Sequence, residues 1–92
     1  DDTVLLSQTK LVGNAKEVFP RFELKVTEVM RGLHAAVLVN KKHLNELQIY
    51  RINKLKAGAL GLMGNKGAIS IVFVFMGELV QFINCHLAAN QN

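Results

Sequence analysis

Residues 69–76 and 79–85 form two apolar runs that meet across Met76, Gly77 and Glu78. Ser70 is the one polar break in the first run. Both runs are of strand length and hold β-branched and aromatic side chains, which suit a pleated surface. A glycine in a short connection between two such runs is a hairpin signal. This hairpin constrains the chain most, because its partners must supply further sheet. Neither run approaches the roughly 18–20 apolar residues that a membrane-spanning helix needs.

The rest of the sequence reads as mostly antiparallel β-structure with little helix. Residues 3–6 form a short apolar run, a buried strand. Asn14-Ala15-Lys16-Glu17 reads as a helix start, with Asn14 as N-cap and Glu17 three residues on. Pro20 limits that helix to about two turns. Residues 22–26 alternate apolar and charged side chains, which is strand period. A helix competes there, since Phe22, Val26, Val29 and Leu33 also share one helical face. The β-branched Val26, Thr27 and Val29 favour the strand. Gly32 marks a turn or bulge, and residues 33–39 read as a buried strand. Residues 47–52 alternate again, with Leu47, Ile49 and Arg51 facing one way and Gln48, Tyr50 and Ile52 the other.

The chain has 92 residues, half of them apolar, so it is at most one domain and is not a disordered tail. A chain near this length buries only about 60–70% of the surface it exposes unfolded. It opens on Asp1-Asp2 and ends on Asn90-Gln91-Asn92; both ends read as cuts in a longer protein. With one cysteine, Cys85, no intrachain disulfide forms, which fits a reducing, cytoplasmic setting. The net charge of +4 favours anionic partners without choosing among them. Lys41, Lys42, Arg51, Lys54, Lys56 and Lys66 crowd the middle of the chain; they read as attraction to anionic headgroups or, for Lys41 and Lys42, as edge-strand lysines. His34 reads as a satisfied core histidine, His43 as solvated and Cys85 as an inert buried thiol.

Two stretches carry chemistry. The first is Gly58 to Gly67, with further glycines at 61 and 64 and with Asn65 and Lys66 before the last one. Glycine lets backbone N–H groups approach a phosphate closely. A P-loop is excluded, because that motif needs Gly-Lys-Ser/Thr entering a helix, and here a strand follows. The dinucleotide fingerprint fails for the same reason. On spacing alone the stretch is a phosphate cradle or a flexible connection. The second stretch is Phe82 to Ala89, where His86 ends a strand. A histidine there can donate to a phosphate oxygen or be merely structural.

In this order and spacing, Lys56-Ala57-Gly58, Gly64-Asn65-Lys66-Gly67 and Phe82-Ile83-Asn84-Cys85-His86-Leu87-Ala88-Ala89 resemble the inositol polyphosphate 5-phosphatase family. The likeness is closest over residues 56–90. It implies a single partial domain over residues 1–92, an internal fragment of an α-β-β-α four-layer sandwich whose two sheets lie between helices. It implies Mg²⁺-dependent removal of the 5-phosphate from phosphoinositides or inositol phosphates. By position, His86 would contact the scissile phosphate, with Asn65, Lys66 and Asn84 as phosphate-binding or rim residues.

The departures are specific. The family places a metal-binding Glu in a Gln-Glu pair, and Gln8-Thr9 stands at that place. A neutral hydroxyl does not replace a carboxylate on Mg²⁺. The family's later motifs, which supply the general base and most metal ligands, are absent, so no metal ligand is assigned and the fragment is expected to be inactive. A non-catalytic pseudophosphatase or phosphoinositide-binding module is the alternative. A nuclease of the same fold is disfavoured by the Gly-Asn-Lys-Gly loop, so no nucleic-acid partner is expected. The implied location is cytoplasmic or peripheral at membranes, with no transmembrane segment.

Overall fold

A computed structural model describes residues 2–30, 32–56 and 65–87, with Lys56, Asn65, Lys66, His86 and Leu87 described as backbone. The stretch 57–64, with most of the glycines, and the end 88–92 lie outside the described residues. The described chain runs β1 (Thr3–Leu6), α1 (Thr9–Gly13), α2 (Ala15–Val18), β2 (Phe22–Met30), β3 (Leu33–Asn40), a 3-10 segment (Lys41–Glu46), β4 (Leu47–Lys56), β5 (Asn65–Phe75) and β6 (Glu78–Leu87). The strands form two three-stranded sheets, ordered β1-β3-β2 and β4-β5-β6. Every described pairing is antiparallel.

The sheets pack face to face. Leu33, Ala35, Val37 and Val39 of β3 meet Leu47 of β4 and Ile69, Ile71 and Phe73 of β5, all nearly or fully buried. Val26, Met30, Val80 and Phe82 close the sides of this core. The other face of β3 presents Ala36 and Leu38, which pack with Leu6 under Val12 and Ala15 of the two short helices. From Ala35 to Val39 β3 is therefore buried on both faces, which explains the unbroken apolar run there. The described residues build three layers: helices, first sheet, second sheet. Among them, no helix is long and apolar enough to cross a membrane.

The hairpin expected over residues 69–85 forms, and its strands extend to Asn65–Phe75 and Glu78–Leu87. Phe75 pairs with Glu78, and Met76 and Gly77 make the two-residue turn at φ 50° and 83°. Both positive angles fit a type I′ turn, whose twist matches the strands.

Local expectations fail where an extra residue enters a strand. In β2 the register shifts between Leu24 and Val26. Phe22 and Leu24 lie opposite Asn40 and Leu38, toward the helices, whereas Val26 lies opposite Val37, in the inter-sheet core. In β4 the shift falls between Ile49 and Arg51. It places Ile52 opposite core Ile71, on the side that simple alternation gives to Arg51. A bulge resets which residues point inward, and period-two reading does not see it.

The helix region also differs. Asn14 precedes α2, but its side chain makes no N-cap bond. Its amide donates instead to the Lys10 carbonyl at 3.1 Å, closing the end of α1. Lys41 and Lys42 lie in the 3-10 segment rather than on an edge strand. His43 is not simply solvated: its ring lies between Asp2 and Glu46 and meets Phe75 edge-on at 5.9 Å.

Candidate active site

The antiparallel arrangement gives the sandwich two distinct ends. One end holds the start of β1, the 3-10 segment and the Met76-Gly77 turn, whose Met76 N–H donates to the Glu46 carbonyl. The other end gathers the ends of β2, β4 and β6 with the starts of β3 and β5. Asn65 and Lys66 open β5, and Asn84 and His86 lie near the end of β6. Asn65 is opposite Leu87 in the ladder, so the backbones of all four sequence-selected residues lie together on two neighbouring strands.

Glycine at 67 is a geometric requirement here. The ladder shifts between Asn65 and Ala68, so Lys66 and Gly67 form a bulge. Gly67 has φ 145°, and a Cβ there would lie 2.7 Å from Met30 Cε and 3.2 Å from the Leu55 carbonyl oxygen. The last glycine of the Gly-Asn-Lys-Gly run thus lets the bulge sit against β2 and β4.

The first sheet brings residues to this end that sequence reading did not assign. β1 stops opposite Ala36, while β3 begins three residues earlier at Leu33. His34 therefore has no β1 residue opposite it, and side chains take over. Its Nε2 is hydrogen-bonded to Thr27 Oγ1 of β2 at 2.7 Å, and its Nδ1 to Thr9 Oγ1 at the start of α1 at 3.3 Å. Its carbonyl accepts from Asn84 Nδ2 at 2.7 Å, across the two sheets. The satisfied-histidine reading of His34 holds, at a half-exposed rather than a core position. Close by, Lys54 of β4 pairs with Glu28 of β2 at 3.2 Å. Arg51 lies over the Tyr50 ring. The basic residues crowded in the sequence are therefore spread out: Lys41 and Lys42 sit at the far end of β4, whose ten residues span roughly 30 Å. A cavity of about 580 Å³ lies on the helical side instead, lined by Val12, Ala15, Phe22 and Leu38 with Lys16 and Lys41, away from this cluster.

These residues do not make a magnesium site. Mg²⁺ takes carboxylate and water oxygens in octahedral geometry. Thr9 offers a hydroxyl already engaged with an imidazole, and Glu28, a carboxylate near it, is paired with Lys54. Among the described residues no group of three or more His, Cys, Asp or Glu is arranged to hold a metal. What the strand register brings together is the backbones of Asn65, Lys66, Asn84 and His86 at the ends of two adjacent strands.

Residues 6–92 match the profile of the Endonuclease/Exonuclease/phosphatase family 2. The chain belongs to the endonuclease/exonuclease/phosphatase family. Among its curated relatives are inositide 5-phosphatases. Human phosphatidylinositol 3,4,5-trisphosphate 5-phosphatase 2 is 37% identical over 58 residues, which is 63% of this chain and 5% of that protein. A probable inositol polyphosphate 5-phosphatase of Schizosaccharomyces pombe is 35% identical over 71 residues, 77% of this chain and 6% of that protein. Phosphatidylinositol 3,4,5-trisphosphate 5-phosphatase 1 of Xenopus laevis is 29% identical over 80 residues, 86% of this chain and 8% of that protein. The chain thus spans under a tenth of the length of these relatives.

Proposed function

We propose that this chain is the phosphate-facing segment of an inositide 5-phosphatase domain. In this reading His86 donates to the scissile phosphate, with Asn65, Lys66 and Asn84 framing it. The observation that carries the proposal is the Asn65–Leu87 register, which sets the Gly-Asn-Lys-Gly strand start beside the strand end bearing His86. The names of the relatives support a phosphoinositide or inositol phosphate as substrate. Magnesium belongs to the complete domain and would supply an activated water; this chain's residues bind and orient phosphate. Such a domain works in the cytoplasm, and its basic balance suits a peripheral membrane surface.

Two measurements test this. A 15N-labelled chain titrated with a myo-inositol trisphosphate carrying a 5-phosphate should show shifts at Asn65, Lys66 and His86, larger than with the analogue lacking that phosphate. Equal or absent shifts would refute the substrate reading. The 92-residue chain with Mg²⁺ should release no phosphate, since the described residues hold no metal carboxylate. EDTA-sensitive turnover would overturn that. A pseudophosphatase or binding module remains the second reading, favoured by Thr9 bonded to His34; binding without turnover by the complete domain is its signature.

A further inference from the structure

We propose that Asn84 is a positioning residue, an inter-sheet clamp that fixes the end of β6 and so aims His86, and is not itself a ligand of phosphate. This rests on the phosphatase reading of His86 given above. Asn84 lies opposite Ile69, a fully buried residue of the inter-sheet core, so its side chain enters the space between the sheets. There an unpaired amide is costly. Its Nδ2 is committed to the His34 carbonyl, fifty residues away in sequence, at 2.7 Å.

The end of β6 needs such a tether. Among the described residues β6 is an edge strand, held by β5 alone. At its last residues even that ladder is interrupted, because β5 bulges between Asn65 and Ala68. The bulge sets two residues of β5 opposite one of β6 and bends the strand, so regular pairing with β5 is interrupted beside His86. The Asn84 bond is independent of that ladder and runs to the other sheet. Its anchor is itself fixed, since the His34 ring is held by Thr27 of β2 and Thr9 of α1. Three elements, β3, β2 and α1, thereby converge on the strand that carries His86.

The test uses the 15N/13C-labelled chain, with inorganic phosphate as probe. As a clamp, the Asn84 side-chain amide should exchange about tenfold more slowly than that of exposed Asn45, the ratio expected of one intact hydrogen bond. It should also stay unmoved when phosphate shifts His86. Asn84→Ala, and Asn84→Asp, whose carboxylate cannot donate to a carbonyl, should displace the His86 ring resonances and weaken their response to phosphate. Gln81→Ala is the control. It removes another side-chain bond of β6, that of Gln81 Nε2 to Ser70 Oγ at 3.0 Å within the sheet, and should leave His86 unchanged. Equal effects of the Asn84 and Gln81 variants would reduce Asn84 to general stability. Rapid exchange, or phosphate-induced shifts on the Asn84 amide, would overturn the clamp; exchange is read on the unaltered chain and needs no variant to fold. If phosphate moves neither His86 nor Lys66, the phosphatase reading falls, while the exchange rate and the His86 displacement in Asn84→Ala still decide the clamp.

Discussion

Replacing Gly67 by alanine tests the bulge that opens β5. The new Cβ would meet Met30 Cε at 2.7 Å and the Leu55 carbonyl at 3.2 Å, at φ 145°. Holding a residue with a side chain in that backbone region costs about 1–3 kcal/mol. Met30 Cε is the far end of a flexible thioether chain and can swing aside, leaving a packing loss of roughly 1 kcal/mol. The Leu55 carbonyl cannot follow, because Leu55 is held in the ladder opposite Ala68. Gly67→Ala should therefore cost about 2–4 kcal/mol, a large share of a small domain's stability. Met30→Ala alone should cost roughly 1–2 kcal/mol, below the fully buried range, because Met30 is only half-buried. Together the two should cost about 1 kcal/mol less than their sum, since the shortened side chain frees the space the new Cβ needs. Urea unfolding followed by far-UV circular dichroism, with m unchanged, measures all three. A Gly67→Ala chain within about 0.5 kcal/mol of wild type would refute the geometric requirement. Strict additivity would show that Met30 is not the obstructing neighbour.

Met76 holds φ 50° ahead of Gly77, so Met76→Asn, which gives the Asn-Gly pair that type I′ turns favour, should stabilise by roughly 0.5–1 kcal/mol and raise Tm; a lower Tm contradicts the turn assignment. Leu79 and Ile83 are 68% and 40% exposed on the outer face of the second sheet, so the chain should bind ANS and associate, and the double change Leu79→Lys with Ile83→Lys should reduce both; a sharp monomer peak without ANS binding for the unaltered chain would refute this. In a complete active domain His86→Ala should lower kcat about 10²–10³-fold with little change in KM, whereas Lys66→Ala should mainly raise KM in a salt-sensitive way. A near-normal kcat for His86→Ala removes it from the catalytic reading.

What the sequence alone determined is local. The hairpin over residues 69–85, the stop at Pro20, the turn at Gly32 and the burial of the 33–39 strand all follow from turn chemistry and hydrophobic period. Their causes lie within a few residues of the effect. The family resemblance associated Asn65 and Lys66 with His86, and the β5–β6 register brings their backbones together. Tertiary structure decided the rest. The bulges in β2 and β4 shift which residues lie on the core side, turning Val26 inward and setting Ile52, still 36% exposed, opposite core Ile71, because cross-strand register rather than local period sets the inward side. The short helix α1 forms under the outer face of the first sheet, where Val12 is covered by Leu6 and Leu38 of neighbouring strands. Asn14 closes α1 instead of capping α2 because that unforeseen helix put the Lys10 carbonyl within reach. His43 gained Asp2 and Phe75 because the start of β1 and the end of β5 meet at one end of the sandwich. Asn84 found its acceptor on β3 only because the sheets stack and β1 stops short of His34, so the bond that ties the candidate site together spans a separation no local pattern encodes.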